Sequence, residues 1–175
     1  EYPHSFPDGL DIIVIVPVLD DREIFQTLES LRCCRIANEK AGVLVVVNHS
    51  EAAEATLKER NRALADELKR WIARHPGDGI RIEVIEAFDL PARSAGVGLA
   101  RKIAMDEAAC YFYREGRVDC PIASLDADTL VGPEYLTGII RKFRDSRVAG
   151  ITLAYAHRYE EDGFPEILRQ AIIRY

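Results

Sequence analysis

Two carboxylates one residue apart, Asp126 and Asp128, sit in the stretch CPIASLDADTL at residues 120–130. Residues 121–125 are short, small and mostly apolar, as a buried parallel strand requires. Gly132 and Pro133 follow, and a proline suits the first turn of a helix. The two acids therefore stand where a strand gives way to a loop, which is where open α/β sheets bind ligands. Like charges this close raise each other's pKa unless a cation intervenes. A hard divalent ion such as Mg²⁺ resolves the repulsion and takes phosphate oxygens at its remaining positions. The residue types and spacing point to a metal–diphosphate site; two solvated loop acids are the alternative.

The elements that must position this pair can be read from hydrophobic periodicity. Residues 10–18 (LDIIVIVPV) and 43–47 are apolar without alternation, as buried central parallel strands are. Pro17 cannot donate to a ladder and marks the first strand's carboxyl end. Residues 80–87 alternate Ile80, Ile82 and Val84 with Arg81 and Glu83, which places that strand at an edge. Helices are predicted over 22–38, from Ser50 to about 74, over 97–114 and over 133–144, and a fifth strand over 148–156. The alternation of strands and helices implies an α/β fold, three-layered, with a parallel or mostly parallel sheet.

Composition narrows the function. A chain of 175 residues, 48% hydrophobic and 30% charged, has the makeup of a globular domain. A net charge of −6 argues against a nucleic-acid surface, which needs a basic stripe. No apolar run is long enough for a membrane span. Cys33, Cys34, Cys110 and Cys120 form no C-x-x-C pair and read as reduced thiols, so the expected location is cytoplasmic, including the inner face of a membrane.

Four stretches in order resemble the nucleotide-binding half of a GT-A glycosyltransferase, most closely family 2. These are Pro17-Val18-Leu19-Asp20 after the first strand, residues 45–50 ending in Asn48-His49-Ser50, Gly96-Val97-Gly98-Leu99-Ala100-Arg101-Lys102 at a helix start, and Leu125-Asp126-Ala127-Asp128. The resemblance covers about residues 10–156. It implies a Rossmann-like GT-A core with strand order 3-2-1-4, which brings the Asp126 strand beside the first strand and opens a crevice between residues 17–20 and 126–128. An Asp126 strand at an edge, or away from the first strand, is expected to remove that crevice. The resemblance also implies transfer of a sugar from a UDP- or GDP-linked donor to a saccharide, lipid or protein acceptor, with inversion. It implies Mn²⁺ or Mg²⁺ held by Asp126 and Asp128, with Asp126 also near the ribose. Pro17, Leu19, Asp20, Asn48, Arg93 and Arg101 are then candidates for nucleotide-sugar binding, the two arginines flanking a helix N-terminus that favours phosphate. Leu19 replaces an aromatic that often stacks on the base, Lys102 replaces an asparagine, and Val47-Asn48 stand where the family has an acid reading the base. The chain is expected to be a single domain, residues 1–175, lacking the family's C-terminal portion. The catalytic general base is expected beyond Tyr175. His157 is a further candidate near the metal, and Glu160, Glu161 and Asp162 read as a solvated loop.

Three rival readings remain. Gly96, Gly98 and Arg101 superficially fit an NAD(P) fingerprint, but a loop separates them from the preceding strand. Asp126 to Thr129 partly fits a dehalogenase-type phosphatase motif, with Leu130 where Thr or Val is required. The third is a GT-A-like domain that binds a nucleotide or a protein partner without turnover.

Overall fold

The computed structural model describes residues 6–77, 79–145 and 147–156. Four strands, β1 (Ile12–Val18), β2 (Ala41–Ser50), β3 (Ile80–Leu90) and β4 (Ile122–Ser124), form one all-parallel sheet in the order β3-β2-β1-β4. Every residue of β1 is buried, because it is flanked by strands on both sides and covered on both faces. The alternation expected to place residues 80–87 at an edge does so.

Helices cover both faces of this Rossmann-like α/β core. On one face, Ile12, Val14, Val16 and Val18 of β1 join Val43, Val45 and Val47 of β2. They pack against α1 (Ile24–Arg32), α2 (Ala55–Arg74) and α4 (Tyr135–Phe143) through Leu28, Leu31, Leu64, Leu68, Leu136 and Ile140. On the other face, Ile13, Ile15, Leu44, Val46 and Ile85 meet α3 (Val97–Arg114). The buried stripe of α3 is Ala100, Ala104, Ala108 and Phe112, four residues apart and so on one side of the helix. Small alanines let α3 lie close to the sheet, with its N-terminus toward the strands' carboxyl ends.

The boundaries correct several expectations. The first helix ends at Arg32 rather than near residue 38. The Arg35 amide leaves helical pairing and donates to the Pro133 carbonyl at 2.8 Å, tying the connection to the start of α4. β2 runs on through Asn48 and His49 to Ser50 because β3 also continues, to Leu90, and gives those residues a partner. Ser50 is therefore a strand end, and its Oγ accepts from the Ala52 amide in the turn before α2. β4 is shorter than residues 121–125, and α4 begins at Tyr135, two residues after Pro133.

Residues 148–156 form no strand, and Ile151, Leu153 and Tyr155 are exposed. Alternating apolar residues make a strand only where a neighbouring edge offers enough rungs, and β4 has three residues. β4 is thus the outer strand among the described residues. Its edge position does not close the crevice, contrary to the sequence expectation. The crevice comes from the reversal of strand order at β1, which needs β1 beside β4 and nothing beyond it.

The close approach of α3 is testable. Ala104→Leu should destabilise the fold by ~1–3 kcal/mol through overpacking. The urea midpoint should fall with little change in slope.

Candidate functional site

The crevice begins where the β1–β4 ladder stops. The Ile13 amide donates to the Pro121 carbonyl at 3.2 Å, and the Leu125 amide donates to the Ile15 carbonyl at 3.0 Å. In a parallel ladder the next rung would run from residue 17 to the Leu125 carbonyl. Residue 17 is a proline and has no N–H to give, so the chains part there. Residues 17–20 and 126–128 then leave adjacent strands at the same carboxyl edge.

The acidic loop is pinned through its backbone. Thr27 of α1, fully buried, donates from Oγ1 to the Ala127 carbonyl at 2.6 Å. The Thr129 amide donates to the Asp126 carbonyl at 3.2 Å and closes the turn. Ala127 is buried, while Asp126 and Asp128 on either side of it are exposed. Arg101 of α3 reaches across and pairs through Nη2 with Asp126 Oδ1. Arg101 Nε is buried without a hydrogen-bond acceptor. Asp128 makes no hydrogen bond or ion pair with a described residue.

The opposite wall is held by amides. Pro17 is buried, Leu19 is 52% exposed, and Asp20 lies in the left-handed region at φ 50°. Arg60 of α2 donates from Nε to Asp20 Oδ2 at 2.7 Å. Asn48 is buried and donates from Nδ2 to the Val18 carbonyl at 2.9 Å, so its amide holds two strand ends together. Arg93 is exposed in the turn between β3 and α3, with no hydrogen bond or ion pair to a described residue. That turn follows β3, the outer strand on the other side, so the Gly96–Gly98–Arg101 pattern is not the strand–helix junction of a dinucleotide fingerprint. His157 and residues 160–162 lie outside the described residues.

Thr27, Arg60 and Asn61 also shape these walls, and none stood out in the sequence. Asn61 occupies the apolar stripe of α2 with Leu64 and Leu68, where a polar residue is the only signal. Beside it, β3 carries an extra residue relative to β2 between the pairs Asn48↔Ala87 and Ser50↔Leu90. The bulge puts Asp89 at φ 52°, facing Lys58 Nζ at 2.7 Å, Arg62 Nη2 at 3.2 Å and His49 Nε2 at 3.6 Å. The His49 ring is buried and stacked on Phe88, with centroids 4.7 Å apart. Burial holds the His49 pKa below its usual 6.5, and the charges of Arg62 and Lys58 act the same way, against the pull of Asp89.

Asp126 and Asp128 offer oxygen donors of the type a hard divalent cation takes. Among the described residues no group of three or more His, Cys, Asp or Glu side chains converges. Two exposed carboxylates leave most coordination positions to phosphate and water, which is how Mg²⁺ is commonly held. The crevice is a surface feature; an open depression of about 340 Å³ lies elsewhere, between the α1–β2 connection and α4, where Arg35 and Arg144 face Glu134 and Glu39. The crevice, not the depression, carries Asp126 and Asp128 and the reversal of strand order.

No family model matches the chain, and no curated protein matches it in sequence. Among solved structures, S. aureus TarS 1-349 aligns over 87% of this chain and 40% of its own, at 15% identity and a TM-score of 0.49. The same TarS segment in complex with UDP-GlcNAc aligns over 87% and 39%, at 15% identity and a TM-score of 0.50. A further TarS structure aligns over 87% and 24%, at 17% identity and a TM-score of 0.49. The chain thus spans about two fifths of TarS 1-349. At 15% identity the likeness to the UDP-GlcNAc-bound TarS segment speaks to the fold alone. No helix among the described residues is long and apolar enough to cross a membrane.

Two measurements check this geometry. Thr27→Val keeps the shape but strands the Ala127 carbonyl, and should cost ~1–3 kcal/mol in urea unfolding. For His49, the folded pKa lies below the unfolded one, so the unfolded chain takes up the proton first as pH falls. Its contribution is complete above pH 6.5 and is lost as pH drops through the lowered folded pKa. His49→Gln should flatten the decline in thermal midpoint between neutral and mildly acidic pH.

Proposed function

We propose that this chain is the nucleotide-sugar-binding core of a divalent-metal-dependent glycosyltransferase of the GT-A type, using a UDP- or GDP-linked donor and inverting at the sugar. The observation that carries this is the loop at residues 126–128. Its backbone is pinned to α1, its two carboxylates are exposed, and it stands where the strand order reverses. A similar fold crystallised with UDP-GlcNAc, in TarS, supports a nucleotide sugar as ligand.

Asp128 is the proposed direct metal ligand, being the acid without a protein partner among the described residues. Asp126 completes the pair and lies toward the ribose, with Arg101 balancing its charge. A bound Mn²⁺ or Mg²⁺ supplies positive charge where a departing nucleoside diphosphate develops negative charge. Arg101 and Arg93 stand on either side of the α3 N-terminus, where unpaired amides also favour phosphate. Together they hold the leaving group in a fixed field, the main route to stabilising such a transition state. Pro17, Leu19, Asp20 and Asn48 form the nucleoside wall. No described residue is assigned as the general base that activates the acceptor hydroxyl.

The test is a binding screen of UDP, GDP, dTDP and CMP by calorimetry, with and without Mn²⁺. One of UDP or GDP should bind, and binding should strengthen markedly with Mn²⁺. Asp128→Ala should remove the Mn²⁺ dependence and leave the thermal midpoint unchanged. Binding indifferent to Mn²⁺, or unfolding of Asp128→Ala, would sink the metal-site reading.

A further inference from the structure

Asn61 of α2 is fully buried on an otherwise apolar stripe. A buried amide needs partners, and this one finds them on two different strand ends. Its Oδ1 accepts from the Asp20 amide at 2.8 Å, and its Nδ2 donates to the Asn48 carbonyl at 2.9 Å. Asn48 in turn donates from its own Nδ2 to the Val18 carbonyl at 2.9 Å. The two asparagines therefore fix the peptide groups on both sides of Leu19: the Val18 carbonyl before it and the Asp20 amide after it.

This closed circuit has two consequences for the crevice. Leu19, an apolar side chain 52% exposed, is held outward at its lip. Asp20 is kept at φ 50°, a conformation that a non-glycine residue adopts at a cost and keeps only when its surroundings enforce it. The circuit also reaches His49, whose Nδ1 lies 3.5 Å from Asn61 Nδ2. The other wall is pinned differently, by Thr27 on the Ala127 carbonyl.

We infer that Asn61 is a positioning residue for nucleotide recognition: it touches no ligand, but it sets Leu19 and Asp20 in the conformation that forms the nucleoside wall. This rests on the nucleotide-sugar reading of the same crevice. Removing the Asn61 amide frees the Asp20 peptide to relax out of the left-handed region, and the wall loses its shape before any contacting side chain is changed.

The test compares wild type, Asn61→Ala and Leu64→Ala in two measurements: UDP affinity in the presence of Mn²⁺, and amide hydrogen exchange at Asp20. Leu64 is buried on the same helix and faces the core, so its truncation destabilises the fold without touching the circuit. Asn61→Ala should weaken UDP binding by about tenfold, the size expected for loss of a buried hydrogen bond, while Leu64→Ala leaves affinity at the wild-type value. In the wild type the Asp20 amide should be protected although it lies outside any strand or helix, and Asn61→Ala should speed its exchange by about tenfold or more. Equal loss of affinity in both variants, or wild-type affinity in folded Asn61→Ala, overturns the inference. If Asn61→Ala does not fold, rapid exchange of Asp20 in the wild type overturns it and protection upholds the clamp. GDP replaces UDP in these measurements if it is the nucleotide that the wild type binds; if the wild type binds neither, the nucleotide reading fails by itself, and Asp20 exchange still decides whether Asn61 fixes this wall.

Discussion

Pro17 ends the hydrogen-bonded contact between β1 and β4, and the candidate site exists because it does. A residue with an N–H at that position could extend the ladder to the Leu125 carbonyl and draw residues 126–128 into the sheet. The proline costs little elsewhere. In a parallel strand the amides of alternate residues point to the same neighbour, and Ile13 and Ile15 show that the odd residues of β1 face β4. The ladder to β2 therefore runs unbroken to Val18↔Val47. One missing donor opens a gap on the side where the order reverses and leaves the central strand fully buried.

The two walls of that gap are stabilised in different ways. Their arginine–carboxylate pairs, Arg60–Asp20 and Arg101–Asp126, are partly exposed. Such pairs are worth ~0–1 kcal/mol and do not hold the fold. Their weight is electrostatic, placing cationic groups from α2 and α3 at the two acids without neutralising Asp128. The rigid elements are buried and neutral: Thr27 on the Ala127 carbonyl, and Asn48 with Asn61 on the peptides around Leu19. At the opposite end of the sheet, Asp11 receives Arg117 and the Lys40 amide, which closes the amino edge of β1. The chain thus fastens one edge of the sheet and holds the other open.

A parallel sheet with β1 and β2 inside it and β3 at an edge was readable because burial imposes pattern: β1 and β2 are apolar on both faces, and β3 alternates. That Asp126 and Asp128 stand just past a strand was legible in the apolar run before them, but the place of that strand beside β1 came from the family resemblance, since the three residues of β4 carry no pattern of their own. Other features were not readable, each for a local reason. The first helix stops at Arg32 because a backbone bond from Arg35 to Pro133 competes with helical pairing, and that partner is remote in sequence. The second strand was expected to stop at Val47 because polar residues follow, yet it runs on to Ser50, with the Asn48 carbonyl accepting from Asn61 of α2 and the His49 ring stacked on Phe88 of β3. The strand expected over 148–156 does not form, because the short β4 offers it no ladder. Thr27 and Asn61 were hidden on helical stripes, where only their polarity departs from the core pattern.

The central claim is that the carboxyl edge between β1 and β4 binds a divalent ion together with a nucleotide. The most direct measurement is paramagnetic broadening of backbone amide signals by Mn²⁺ in the presence of UDP or GDP. Amides of Asp126, Ala127 and Asp128 should broaden most strongly. Those of Leu19, Asp20 and the first turn of α3 should follow, while Asp11, Lys40 and Ile80 at the amino edge of the sheet stay sharp. Broadening centred on the Glu39–Glu134 end, or spread evenly over the acidic surface, would contradict the claim.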